Sequence, residues 1–284
     1  MQTQPEGRYL FPHTWDGEGD RLAALSRALD PITKRTVAAL GLADGWRCLE
    51  VGAGAGSIAR WLSDEVGPKG RVLATDLSLA LMTGLEAGNL ELRRHDIVND
   101  PLPDEEFDLI HCRLVLEHLP ARAEVLARLA GALAPGGWLV IEEMTFSGQR
   151  GATRKGALAI GGLLRGMAVL MQRNGFSLSW GREVPIHLRR AGLTEIGAVG
   201  TQLVLIGGTE SIDWARPSLR RFRQLLVDVS VWPAPVQRAV RAVPAIQGLL
   251  ARPIDALERL LDDPDFVYLA PSFVSSWGRR PPEG

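Results

Sequence analysis

The stretch Trp46-Arg-Cys-Leu-Glu-Val-Gly-Ala-Gly-Ala-Gly-Ser57 decides how the rest of the chain is read. An apolar run enters it at 47–51, glycines follow at 52, 54 and 56, and an amphipathic segment runs over 57–66. The spacing predicts strand, glycine turn, helix. Glycine at such a turn permits positive φ and close approach of a ligand to the backbone. The helix start offers unpaired N–H groups.

Outward from this turn, strand and helix patterns alternate. Strands are expected at 71–75, ending on Asp76, and at 90–94, 107–112 and 138–142; helices are expected at 121–133 and, capped by Ser78, over about ten residues ending near 84–88. Before the turn, apolar residues at 22, 25 and 29 have helical spacing, and Asp30-Pro31 is expected to restart the chain as N-cap and first helical residue of a second helix reaching Leu40. Repeated strand–helix units specify a doubly wound α/β sheet with helices on both faces.

Beyond Glu143 the pattern loosens. Helices are expected at 155–172, 182–191 and 211–230, with proline-broken helix over 233–261, and strands at 193–206 and 266–277. One domain is expected over 1–284: a strap and helices at 1–44, a binding core at 45–145, and substrate-side helices at 146–284 with an insertion at 207–262. The leading segment carries Tyr9, Leu10, Phe11, His13 and Trp15, and reads as a strap packed on the body or as a substrate-side lid.

Composition sets bounds. The 284 residues are 46% hydrophobic and 23% charged with net charge −1, an ordinary globular balance that gives no reason to expect nucleic acid or a membrane surface as partner. Two cysteines, Cys48 and Cys112, point to a reducing, cytoplasmic setting; no signal peptide or bilayer-spanning run is read. No His/Cys/Asp group has metal-ligand spacing, so no metal is expected.

What lies against the turn is read from its acids. The glycines fall as G-x-G-x-G, with Ser57 where the dinucleotide fingerprint needs its third glycine. Glu50, two positions before the first glycine, would repel a pyrophosphate and attract a cation, unless it is merely a solvated strand-end acid. Asp76 suits two ribose hydroxyls, and Asp96, just past the third strand, suits an exocyclic amine. Three acids on one sheet edge fit a nucleoside bearing a cation, and S-adenosyl-L-methionine has that description.

The chain resembles the class I S-adenosylmethionine-dependent methyltransferases that act on small molecules. The residues that carry the resemblance are 50–56, Asp76, 95–97, 107–119 and 133–141. It implies a Rossmann-like seven-stranded sheet with the last strand antiparallel and added helices forming a lid. It also implies that Glu50, Gly52, Ala53 and Gly54 surround the methionine part, with Ser57 starting the helix. Asp76 would hold the ribose, Leu77 and Met82 would flank the adenine, Asp96 and Ile97 would meet its edge, and the Arg113 backbone would lie near the methionine end. Met82 and Ile97 equally suit ordinary helix–sheet packing.

Methyl transfer from a sulfonium is an in-line displacement, and a base helps only if the acceptor starts protonated. His118, after the fourth strand, and His13 are the candidates, with a structural cap as the other reading of His118; His111 reads as a core or strand-end residue. Eight basic side chains between 150 and 190 read as a solvated face or as attraction for an acidic acceptor, and the apolar residues of 163–171 as core or as cover for a hydrophobic one. The expected activity is O- or N-methylation of a specialised metabolite, leaving a homodimer open. A non-catalytic cofactor-binding sensor or assembly protein is the alternative from another class. An NAD oxidoreductase and a protein or RNA methyltransferase stand further off.

Overall fold

A computed structural model of the chain describes residues 15–85, 87–102, 106–147, 150–151, 168–169, 171–228, 255–256 and 258–282. The first described helix, α1 (Glu18–Ala39), is continuous, and Pro31 lies inside it. The expected restart at Asp30-Pro31 is therefore corrected. Proline in a helix interior costs about 3 kcal/mol, but Leu29, Ile32 and Val37 are buried on one face, each contributing roughly 1.5–3 kcal/mol. Tertiary burial overrides the local break.

The sheet is built from β1 (Arg47–Val51), β2 (Arg71–Asp76), β3 (Leu90–Arg94), β4 (Phe107–Arg113), β5 (Leu133–Thr145), β6 (Arg150–Gly151), β7 (Thr194–Ile206) and β8 (Val267–Arg279). Its order is β3-β2-β1-β4-β5-β8, with β7 paired to the far side of β8 and the two-residue β6 alongside β8. The first five strands are parallel; β8 runs antiparallel to both β5 and β7. This is the expected seven-stranded sheet with its last strand reversed, plus one short addition. β5 starts earlier than expected, because Leu133 pairs with Phe107 before a register shift between Phe107 and Leu109.

Side chains alternate across each strand, so the sheet buries two layers. On one face α2 (Ser57–Val66) and the end of α1 cover Cys48, Val72, Ala74, Leu109 and Val140. On the other, α3 (Arg122–Gly131) and α4 (Trp180–Arg190) cover Leu49, Val51, Ile110, Cys112, Leu139 and Ile141. The helix α5 (Ala215–Val227) packs Leu219, Phe222 and Leu225 with Tyr268 and Phe266, and Trp15 joins that cluster. The described end of the leading segment is thus tied to the body.

The helix expected after Ser78 is absent. Residues 77–85 form successive turns, with Met82 N–H on the Leu79 carbonyl and Leu85 N–H on Met82. Gly84, with φ +83°, ends the stretch after one turn, too short to repay helix nucleation. The expected helices at 155–172 and 233–261 lie largely outside the described residues. No described helix is long and apolar enough to cross a membrane.

The strand order reverses between β1 and β4. In an open parallel sheet, the crevice at the carboxyl ends of those two strands is where ligands bind.

Candidate active site

At that crevice Gly52, Gly54 and Gly56 have φ of +67°, +58° and +79°. The N–H groups of Gly52 and Ala53 both donate to the Thr75 carbonyl, at 2.8 and 3.0 Å, which locks the turn over the end of β2. A Cβ on Gly52 would stand 2.3 Å from Val115 Cγ2, so the loop after β4 packs directly on the turn after β1. A Cβ on Gly54 would meet only Leu22 of α1, at an ordinary 3.4 Å.

Asp76 ends β2, where expected. Its Oδ2 accepts the Gly54 N–H at 2.9 Å and its Oδ1 the Ser78 N–H at 3.1 Å, so the carboxylate bridges the glycine turn to the next loop. Leu77 beside it is 59% exposed, an apolar surface at the sheet edge. Met82 is corrected: it is fully buried against Gly56 and offers no surface to a ligand. Ile97 likewise belongs to the core cluster over β1 and β4. The Asp96 carboxylate is taken up in its own turn by Val98 N–H and Asn99 Nδ2. Ser57 starts α2, and its hydroxyl donates to Asp30 Oδ1 at 3.2 Å.

Glu50 is not a solvated strand-end acid. It is buried, and its Oε2 lies 2.6 Å from His111 Nδ1. His111 Nε2 faces Glu142 Oε2 at 3.2 Å, and Glu142 also accepts hydrogen bonds from Ser275 at 2.5 Å and from Thr33. Arg113, cast above as a backbone contact, sends its guanidinium to Asp30 at 3.0 Å and Thr33 at 3.1 Å. Burial alone would push the His111 imidazole down, but the carboxylates of Glu50 and Glu142 more than reverse this and hold it up to about 9. Burial would push Glu142 up; its hydrogen bonds from His111, Ser275 and Thr33 instead hold it below the usual carboxylate range.

A second acidic cluster occupies the opposite face at the same edge. Leu114 has φ +56°, and the 3₁₀ turn Leu116–His118 follows it. Leu116 N–H donates to Glu143 Oε1 at 2.8 Å and Met144 N–H to Glu117 Oε2 at 2.9 Å, a reciprocal clasp between this turn and β5. Burial raises both acids, Glu117 to about 8, and like-charge repulsion from Glu117 raises Glu143 further. His118 stacks edge-on to Phe176 at 4.9 Å, and Phe176 to Phe146 at 5.5 Å. Burial, reinforced by Arg21 and Arg122, holds its imidazole down to about 3, so it is neutral across the working pH range. His13 lies outside the described residues, and no metal-holding cluster is found among those described.

The sequence reading missed Glu142, Glu143, Glu117, Thr33, Asp30 and Ser275. One signal was present. The doublet Glu142-Glu143 ends an otherwise apolar strand, and acids entering a core demand partners.

Residues 49–141 match the family model of a methyltransferase domain. Methyltransferase str3 of Strobilurus tenacellus is 31% identical over 132 residues, which is 46% of this chain and 47% of that one. The ubiquinone/menaquinone biosynthesis C-methyltransferase UbiE of Pseudomonas putida is 30% identical over 130 residues, 43% of this chain and 51% of that one. The chain spans about half the length of the curated relatives it matches. Among solved structures, phosphoethanolamine N-methyltransferase 2 of Haemonchus contortus, in complex with S-adenosyl-L-methionine, covers 98% of this chain and is itself covered over 57%, with TM-score 0.50 and 16% identity, a likeness of fold alone. In its strand order, its left-handed glycine turn and the match over 49–141, the chain is similar to the class I S-adenosylmethionine-dependent methyltransferases.

Proposed function

We propose that the chain transfers a methyl group from S-adenosyl-L-methionine to O or N of a small-molecule acceptor. The observation that carries this reading is the Asp76 carboxylate at the end of β2, hydrogen-bonded to the left-handed glycine turn it faces. The residues present fit the cofactor: the turn brings bare backbone to the crevice, Asp76 sets a carboxylate beside it of the kind that accepts from ribose hydroxyls, and Leu77 offers an apolar face to a base. When bound, the cofactor supplies a methyl group on a positively charged sulfur, ready for in-line displacement. The protein's part is then positioning and exclusion of water. Leu22 of α1 over Gly54 and Val115 over Gly52 supply the cover.

His118 stands beside the loop after β4, backed by the buried Phe176 and the half-buried Phe146, and gives the acceptor side a polar ring on an aromatic support. That composition suits an apolar or aromatic acceptor carrying a hydroxyl or amine. As a weakly basic imidazole, His118 serves better as a hydrogen-bond acceptor that orients this group than as a strong base. A carbon acceptor is the second reading, favoured by the C-methyltransferase relative from Pseudomonas putida.

Calorimetric titration tests the cofactor. S-adenosylhomocysteine should bind the wild type, and Asp76→Ala should weaken it roughly ten- to a hundredfold, as loss of hydrogen bonds to a charged group does. Tight NAD binding with no response to S-adenosylhomocysteine would sink the reading. Mass spectrometry of cell extract incubated with isotopically labelled cofactor then identifies the acceptor and the atom methylated.

A further inference from the structure

We infer that His111 and Glu142 are positioning residues for the cofactor, holding the Glu50 carboxylate at the glycine turn within a largely buried cluster whose described members carry one negative charge in excess for a cationic ligand. The inference rests on the cofactor reading above and adds residues to it.

With both acids ionised, the geometry calls for a charged ring. Both His111 nitrogens face carboxylate oxygens, Glu50 Oε2 at 2.6 Å and Glu142 Oε2 at 3.2 Å. A neutral imidazole has one N–H, so it would turn a lone pair toward one of them; the imidazolium donates to both. Glu142 is fixed in turn by Thr33 of α1, Ser275 of β8 and His111 of β4, three elements converging on one carboxylate. Arg113 joins Thr33 to Asp30, which accepts from Ser57 at the start of α2. The connected charges are therefore Asp30, Glu50 and Glu142 against His111 and Arg113, three negative and two positive. Among the described residues no further cation joins this chain of contacts, which ends at Glu50, two residues before Gly52. A buried net charge is costly until a counter-charge arrives, and the cluster sits where a ligand's ammonium or sulfonium would supply it.

The arrangement also ties α1 to the site. Thr33 and Asp30 belong to the helix whose Leu22 lies over Gly54, so the same contacts that orient Glu50 seat the cover of the turn.

The test is titration of S-adenosylhomocysteine into the full chain as wild type, H111Q, E142Q and S275A, across pH 6 to 10. H111Q and E142Q should bind roughly ten- to a hundredfold more weakly, the loss usual when a partner orienting a ligating side chain is removed. S275A, which deletes one hydrogen bond from Glu142, should lose a few-fold and guards against misfolding of the first two. The ligand's own amine titrates in the alkaline range for every variant, so the diagnostic is the difference in profile. Wild-type binding should show an additional inflection near pH 9 that is missing in H111Q and displaced to lower pH in E142Q. Nitrogen NMR of isotopically labelled histidine should show both His111 ring nitrogens protonated at neutral pH and shifted by S-adenosylhomocysteine. If the wild type does not bind, the cofactor reading falls and takes this inference with it. If the wild type binds and H111Q binds within about twofold with the same pH profile, or ligand leaves the His111 nitrogens unmoved, the positioning role alone is overturned.

Discussion

His111 Nδ1 stands 2.6 Å from Glu50 Oε2, across a rung of the sheet that pairs two residues 61 positions apart. Strand alternation then puts Glu142 on the same face one strand further on, and Ser275 one strand beyond that. A row of polar side chains therefore crosses β1, β4, β5 and β8 beneath α1, at the edge where a parallel sheet binds ligands. Such a row is a poor source of stability, since desolvating the charges offsets much of their attraction; losing one partner is what costs most. Its place at the strand ends, not its energy, makes functional sense of it.

The row should make folding stability fall with alkaline pH. His111 is held up to about 9 in the folded chain, against an ordinary value of 6.5. For a base whose value is raised on folding, the stabilisation is complete below the unfolded value and is lost as pH climbs from there through the folded one. The shift corresponds to on the order of 3 kcal/mol. Urea denaturation should find H111Q less stable than wild type by about that amount at pH 6, with the gap closing toward pH 10. A gap that stays constant over this range would mean that His111 is neutral in the folded protein.

Gly52 and Gly54 should respond differently to alanine. Both have positive φ, which costs an L-residue about 1–2 kcal/mol. Only at Gly52 does the added Cβ collide, 2.3 Å from Val115 Cγ2; at Gly54 it meets Leu22 at an ordinary 3.4 Å. G52A should lose about 3 kcal/mol or more and G54A nearer 1 kcal/mol. Adding V115A to G52A should recover part of the loss, a coupling that a double-mutant cycle reads directly. Equal losses in the two single variants would show that the loop after β4 does not press on the turn.

On the opposite face Glu143→Gln should stabilise the protein at alkaline pH. Burial raises both Glu143 and Glu117, so the folded state favours their protonated forms. For acids raised on folding, the penalty is absent below the unfolded value near 4.5 and grows as pH rises through the folded one, about 8 for Glu117. Glutamine keeps the oxygen that accepts the Leu116 N–H and adds an amide that can donate toward Glu117. Thermal melts should show E143Q close to wild type at pH 5 and more stable by about 2 kcal/mol at pH 8.5. Destabilisation at both pH values would show that the folded state does not favour the protonated form of Glu143.

What could be read in the sequence follows from the range of the interactions involved. Periodicity and glycine spacing located β1 to β5, the turn at 52–56 and Asp76, because strand burial and positive φ are written in neighbouring residues. Pro31 misled, since the burial that overrides it comes from Leu29, Ile32 and Val37 meeting distant strands. The missing helix after Ser78 failed in the other direction: its local spacing was adequate, but Met82 packs on Gly56 and Gly84 takes a left-handed turn. The role of His111 was out of reach, because only strand register sets it opposite Glu50 and between two acids. No spacing along the chain encodes that rung.

His118 gives the sharpest kinetic expectation. Burial, with Arg21 and Arg122 nearby, holds its imidazole down to about 3, so its charge does not change between pH 5 and pH 9. If methyl transfer uses it only to orient the acceptor, the pH profile of kcat should carry no inflection belonging to His118 across that range. H118Q, which keeps a hydrogen-bond acceptor, should then lose no more than about tenfold in kcat, short of the 10²–10⁴ that removal of a working general base produces. A larger loss, together with a wild-type inflection near pH 6–7 that H118Q abolishes, would show that the acceptor raises the basicity of His118 on binding and that the residue takes the proton after all. The neighbouring Glu117 must be separated from this, because it titrates at about 8 and lies 3.8 Å from the His118 ring nitrogen. An inflection near 8 that persists in H118Q and disappears in E117Q belongs to the carboxyl pair. It would then report the clasp between the 3₁₀ turn and β5, not proton transfer to the acceptor.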